Sequence, residues 1–185
     1  MAPLLRGYDR VQDLHPRPAN STSRHYYSGV YGLDRFPLHT DFAHWAIPPR
    51  YVLLRCVSGT VDVGTTLLPW TALLSSLAVR TLERAVLRAR NRRGGSGLVR
   101  ALSRQGQHQI FRWDSLFLSA INASAQELRS VMQEGPYELE ATKVILAKRD
   151  DSLLIDNWHC THGRTSVGIH NLDRHIERVY LTEVS

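Results

Sequence analysis

Hydrophobic and polar positions divide the chain into several stretches of different character. Residues 1–24 are polar and punctuated by Pro16, Pro18 and Asn20-Ser21-Thr22-Ser23, the composition of a loop or loosely held arm. From Tyr26 aromatic and β-branched residues take over. After the Pro48-Pro49 turn, YVLLRCV over 51–57 reads as a buried strand. Beyond Gly64-Thr65-Thr66, the recurrence of Leu74, Leu77, Leu82, Ala85, Val86 and Ala89 predicts a helix over 71–90, with Arg80, Arg84 and Arg88 in a row on the opposite face. Gly94-Gly95-Ser96-Gly97 ends it and is expected to be mobile. A second helix is signalled by Ser124 with Glu127 as a capping box, and by Leu128, Val131 and Met132 as its apolar face. Gly135-Pro136 stops it. The remainder is strand-like: Val144-Ile145-Leu146, a charged turn at Arg149-Asp150-Asp151, Leu153-Leu154-Ile155, and an alternating RHIERVYLT over 174–182. Strands at both ends with helices between predict a mainly β fold with helical insertions, a barrel or jelly roll. The expectation is one domain over 1–185, with a helical insertion and Gly-rich linker at 71–110.

Composition narrows the class. With 185 residues, 43% hydrophobic and 22% charged, the chain is an ordinary globular one, which excludes disordered, collagen-like and disulfide-scaffold types. No apolar run approaches the roughly 20 residues of a membrane span. Met1-Ala2-Pro3-Leu4-Leu5-Arg6 lacks the apolar core of a signal peptide, so a cytoplasmic location is expected, with Cys56 and Cys160 reduced. The net charge of +6 invites a nucleic-acid reading, but the excess is local. Residues 80–104 hold eight arginines against the single acid Glu83, which leaves the rest of the chain close to neutral. Such a stripe reads as a solvated helix face, and no nucleic-acid or membrane partner is expected.

Two stretches carry candidate chemistry. In Phe36-Pro37-Leu38-His39-Thr40-Asp41, strand alternation points His39 and Asp41 the same way, so both could grip one metal ion; a satisfied surface or core pair would look the same. The segment DNWHCTHGRT over 156–165 could supply a second imidazole. Two histidines and a carboxylate form the facial triad that holds non-haem Fe(II) and leaves positions open. Zinc held by His159, Cys160 and His162 is disfavoured, because adjacent strand residues face opposite sides. In RHIERVY, alternation puts Arg174, Ile176, Arg178 and Tyr180 on one face. Guanidinium groups directed inward need anions, either a carboxylate-bearing cosubstrate or acids of the protein.

The succession FPLHTD, PPRYVLL, GTTLL, FRWD, LLIDNWHCTHGRT and RHIERVYL resembles the taurine/2,4-D dioxygenase family and its clavaminate synthase-like relatives, from about Phe36 to Leu181. That resemblance implies a double-stranded β-helix (jelly roll) and an Fe(II)- and 2-oxoglutarate-dependent oxygenase. Its cosubstrates would be 2-oxoglutarate and O₂, its substrate a small molecule hydroxylated at a C–H bond, and its co-products succinate and CO₂. The implied iron ligands are His39, Asp41 and His162. Thr66 and Arg174 would meet the distal carboxylate of 2-oxoglutarate, and Arg178 an anionic group on cosubstrate or substrate. Because Asp41 stands where related halogenases carry a small residue, hydroxylation or desaturation is implied over halogenation.

Departures from the family pattern bear on the substrate enclosure. Arg149-Asp150-Asp151 replaces the usual Gly-Asp turn, only 38 residues precede His39, and the stretch between Thr66 and Phe111 is compact. An open pocket, a lid supplied by a partner, or a truncated chain would each fit. The competing reading is a non-catalytic β-barrel module that docks RNA or an acidic partner on its basic helix; it leaves the motifs unexplained.

Overall fold

The computed structural model describes residues 11–20, 26–90 and 97–182. In chain order the first elements are β1 (Gln12–Leu14), α1 (Tyr27–Tyr31), β2 (Phe36–His39), β3 (Tyr51–Ser58) and β4 (Gly64–Pro69). A 3₁₀ turn at Trp70–Ser75 leads to α2 (Val79–Arg84), β5 (Val86–Ala89), β6 (Leu98–Arg100), β7 (Leu102–Gln105), β8 (His108–Phe111) and β9 (Leu118–Ala120). Then come α3 (Ala123–Glu134), α4 (Tyr137–Glu140), β10 (Thr142–Ile145), β11 (Ser152–Asp156), β12 (Cys160–Arg164) and β13 (His175–Leu181).

Two antiparallel four-stranded sheets, ordered β1-β13-β3-β11 and β10-β4-β12-β2, form the jelly roll. Between them lies a core of Val52, Leu54, Cys56, Ile155, Ile176 and Tyr180, against which Leu67 packs. The second sheet is also covered on its other face. Leu38 and Leu68, one position out of phase with His39 and Leu67, join Trp70, Leu73, Leu87, Phe111 and Leu128 in a larger cluster. Period-two alternation thus assigns each strand residue to the inner or the outer core. Among the described residues no helix is long and apolar enough to cross a membrane.

The helix expected over 71–90 is broken. It resolves into a 3₁₀ turn, the six-residue α2 and the strand β5. Leu87 is buried between β6 and β9 while Arg88 is exposed, the two-residue alternation of a half-buried strand. Ala and Arg satisfy helical spacing, but sheet pairing supplies tertiary contacts that override so short a propensity. Among its described residues the insertion at 71–110 holds the strands β5 to β8 as well as the 3₁₀ turn and α2. The glycine run at 94–97 lies outside the described residues except for Gly97. The arm at 1–24 is not wholly loose, since Gln12–Leu14 pair with β13.

The second helix exists, but its cap is Asn122 rather than Ser124. Asn122 Oδ1 accepts N–H bonds from Ala125 at 3.0 Å and Val86 at 3.1 Å, and Nδ2 donates to Arg84 O at 2.8 Å. The residue fastens α3 to the insertion as well as capping it. Asn122→Ala is expected to destabilise the protein by about 2 kcal/mol, above the usual cap value of about 1 kcal/mol. Urea denaturation followed by far-UV circular dichroism measures this; a loss below about 0.5 kcal/mol would contradict it.

Candidate active site

β2 and β12 are adjacent, and their register sets His162 directly opposite His39. The ring centroids are 4.6 Å apart. A register shift follows between His162 and Arg164, where Gly163 is pinched. A Cβ there would stand 2.5 Å from Phe36 O and 2.8 Å from Thr66 Oγ1, so only glycine fits.

Asp41 lies two residues past the end of β2, where the chain enters a turn. Thr40 is locked by its N–H to Trp113 O at 2.7 Å and by Trp113 N–H to its Oγ1 at 3.2 Å. Asp41 Oδ1 is 3.7 Å from His39 Nε2, and Oδ2 is 3.4 Å from His162 Nε2. The potential ligand atoms all lie within 4.8 Å of one another, the one such cluster among the described residues. Nδ1 of His39 is 2.8 Å from Pro37 O. A carbonyl only accepts, so in the neutral ring Nδ1 carries the proton and the Nε2 lone pair faces Asp41.

The surroundings compensate the buried carboxylate. Arg178 Nη1 donates to Asp41 Oδ2 at 3.2 Å, and the Tyr180 hydroxyl donates to the same oxygen at 2.9 Å. Burial pushes the Asp41 pKa up, but Arg178 and the two imidazoles outweigh it and hold the carboxyl well below its usual range. Burial lowers the pKa of His162, keeping it neutral. At His39 burial opposes charging, and the adjacent Asp41 more than offsets it, so the net shift is upward. A carboxylate beside two imidazoles is the donor set of a divalent transition metal with three protein ligands. The two measured edges are near the roughly 3 Å expected between ligands at right angles about 2.1 Å from an ion.

The backbone of Asp41 is clamped from the turn that follows β11. Asn157, fully buried, accepts from Asp41 N–H at 2.9 Å and donates to Asp41 O at 3.0 Å and Pro49 O at 2.9 Å. Trp158 Nε1 donates to Pro48 O at 2.9 Å, and Arg112 to Trp45 O at 2.8 Å. These bonds hold a loop that turns at Phe42 with φ 54°, a conformation L residues adopt at a cost. On the other side, the Tyr27 ring stacks on His39 at 3.9 Å and its hydroxyl donates to Asp114 Oδ1 at 2.9 Å.

The other predicted residues fall differently. Arg174 is buried beside Cys56, its Nε lacks a hydrogen-bond partner, and burial lowers its pKa. It makes no ion pair among the described residues, which fits it for an anionic ligand. Arg178 is not free for a ligand in the same way, since it meets Asp41. Thr66 is buried with an unpartnered Oγ1, yet it pairs with Gly163 and lies in phase with Leu68, on the outer face. Thr65, paired with Arg164, is the buried threonine in phase with His162 and Leu67. His159 stands in a turn with Nδ1 3.0 Å from Asp156 Oδ2, away from the cluster, and the Cys160 thiol, with burial pushing its pKa to about 11, donates to Thr161 O. Arg80, Arg84, Arg88, Arg90, Arg100 and Arg104 are exposed, while Arg92 and Arg93 lie outside the described residues.

Sequence reasoning missed the clamp at Asn157, the stacking of Tyr27 and the part of Gln12 described below. Asn157 stood inside a motif already singled out; Gln12 and Tyr27 left no local signal.

No protein-family model matches the chain, nor does any curated protein. Solved structures do. Asparagine oxygenase in complex with Fe(II), (2S,3S)-3-hydroxyasparagine and succinate superposes with TM-score 0.72 at 20% identity, over 93% of this chain and 56% of that one. The non-heme iron oxygenase OrfP with Fe and alpha-ketoglutaric acid gives 0.69 at 18% identity, over 94% and 56%. OrfP with Fe, succinate and (3S)-hydroxy-L-Arg gives 0.69 at 18%, over 93% and 59%. The jelly roll of these oxygenases is the fold of this chain, which spans little more than half their length.

Asn157→Ala would leave the Asp41 amide and two carbonyls without partners. We expect about 3 kcal/mol of lost stability in urea denaturation, and a result under about 1 kcal/mol would show that the clamp is dispensable.

Proposed function

We propose that the protein is an Fe(II)- and 2-oxoglutarate-dependent oxygenase that hydroxylates a C–H bond of a small molecule, with release of succinate and CO₂. The observation that carries this reading is the buried His39–Asp41–His162 cluster in a jelly roll that also buries the unpaired cation of Arg174. Bound iron would supply the redox chemistry that couples O₂ and decarboxylation of the oxoacid to substrate oxidation. The residues of the chain do the positioning. His39, Asp41 and His162 would hold the metal. Arg174 binds the distal carboxylate of 2-oxoglutarate, with Thr65 in place of the expected Thr66 because Thr65 shares the face of His162. Since structural relatives hold hydroxylated asparagine and arginine, free amino acids are the first substrates to screen.

His39→Ala, Asp41→Ala and His162→Ala should each abolish Fe(II)-dependent succinate release and oxygen uptake, without additive losses when combined, because the ligands act as a unit. Turnover surviving in His162→Ala but lost in His159→Ala would refute the ligand set.

Arg174→Ala should raise the Michaelis constant for 2-oxoglutarate by about a hundredfold, as expected for a lost charged bidentate contact of about 3 kcal/mol. Thr65→Val should raise it more than Thr66→Val; the reverse order would return the role to Thr66. Replacing the exposed Arg84 and Arg88 with Gln should change turnover less than about threefold, because exposed charges are screened. Salt-sensitive RNA binding lost in that variant would instead favour a docking module.

A further inference from the structure

The N-terminal strand reaches the candidate metal centre. β1 pairs with β13 so that Gln12 lies opposite Arg178. Directly paired residues project from the same face, and here that is the face turned toward Asp41. Gln12 Oε1 accepts two bonds from the guanidinium, from Nη2 at 2.8 Å and from Nε at 3.2 Å. These donors form one edge of the planar fork. Nη1, at the other end, donates to Asp41 Oδ2 at 3.2 Å. Fixing one edge of a rigid plane fixes where its remaining donors point. All three nitrogens of Arg178 are thereby engaged by the protein, two by Gln12 and one by Asp41.

We propose that Gln12 is a positioning residue of the metal centre, which through Arg178 sets the orientation of the Asp41 carboxylate and makes the N-terminal strand a working part of the site. The proposal rests on the metal-dependent reading above. It also gives Arg178 a task inside the protein, orienting a ligand, in place of recognition of an anionic substrate group. A neutral amide acceptor suits this geometry, since it holds the guanidinium without carrying charge toward the ligand atoms. Its effect on the metal is indirect, and partners one step removed from a ligand typically change metal affinity by 10–100-fold.

The test is anaerobic titration of the intact chain with Co(II), followed by visible absorption, which reads the metal site without turnover. Gln12→Ala should weaken Co(II) binding about tenfold, and Arg178→Ala at least as much. The double variant should bind no more weakly than Arg178→Ala, because both changes act through one guanidinium. Gln12→Glu, which keeps the acceptor oxygen, should restore affinity to within about threefold of the original protein. Asp13→Ala is the control for mere docking of the strand: it removes the 2.7 Å contact of Asp13 with His175 but spares Gln12, and should leave Co(II) affinity unchanged. Equal affinity in Gln12→Ala and the unaltered protein overturns the inference, as does a loss in Asp13→Ala as large as that in Gln12→Ala. Failure of the unaltered protein to bind Co(II) overturns the metal reading and this inference with it.

Discussion

The structure depends on one carboxylate removed from water. The Asp41 side chain, 12% exposed, sits where an ionised group without partners would be costly, and four side chains from three strands answer it: His39, His162, Arg178 and Tyr180. Each partner fixes a relation between elements. His39 and Asp41 bind the end of β2 to itself, His162 brings in β12, and Arg178 with Tyr180 brings in β13 from the opposite sheet. The two halves of the jelly roll are therefore joined at the chemical centre by charge and hydrogen bonds, and elsewhere by apolar packing.

That joint is held still by a second set of bonds to backbone. Asn157 satisfies both polar groups of the Asp41 peptide, and Trp158 and Arg112 fasten the loop behind it. Side chains on paired strands, with the Asp41 backbone satisfied by Asn157, keep the geometry that a metal site would require. The outer face of the same sheet is buried under the insertion, so β2, β4 and β12 are packed on both sides. Arg174 carries a buried cation with a donor that nothing in the described chain accepts. A site that leaves one buried charge unanswered is organised for a ligand of opposite charge.

The chemistry was legible in the sequence where spacing alone restricts geometry. Two residues apart on extended chain, His39 and Asp41 share a face whatever the fold, and the same rule set Arg174, Arg178 and Tyr180 together. The mainly β architecture followed from the apolar runs at 51–57, 144–146 and 153–155, which are too short for helices and too rich in Val, Ile and Leu for loops. Local pattern failed at 71–90, where alanine and arginine fit either period and the partners that decide between them, β6 and β9, lie later in the chain.

Tertiary structure alone decided which predicted residues meet. That His162 rather than His159 faces His39 depends on the β2–β12 register, and a register is set by pairing between segments 120 residues apart, of which neither carries a record of the other. The same register places Thr65, and not Thr66, in phase with His162, a step of one residue that reverses a side chain. Gln12, in a polar segment without periodicity, acquired its contact only because β1 adds to the edge of a sheet completed by the last strand of the described chain. Sequence determines what each residue can do and which neighbours along the chain share its face; contacts across sheets and between distant strands arise from packing, which no local pattern encodes.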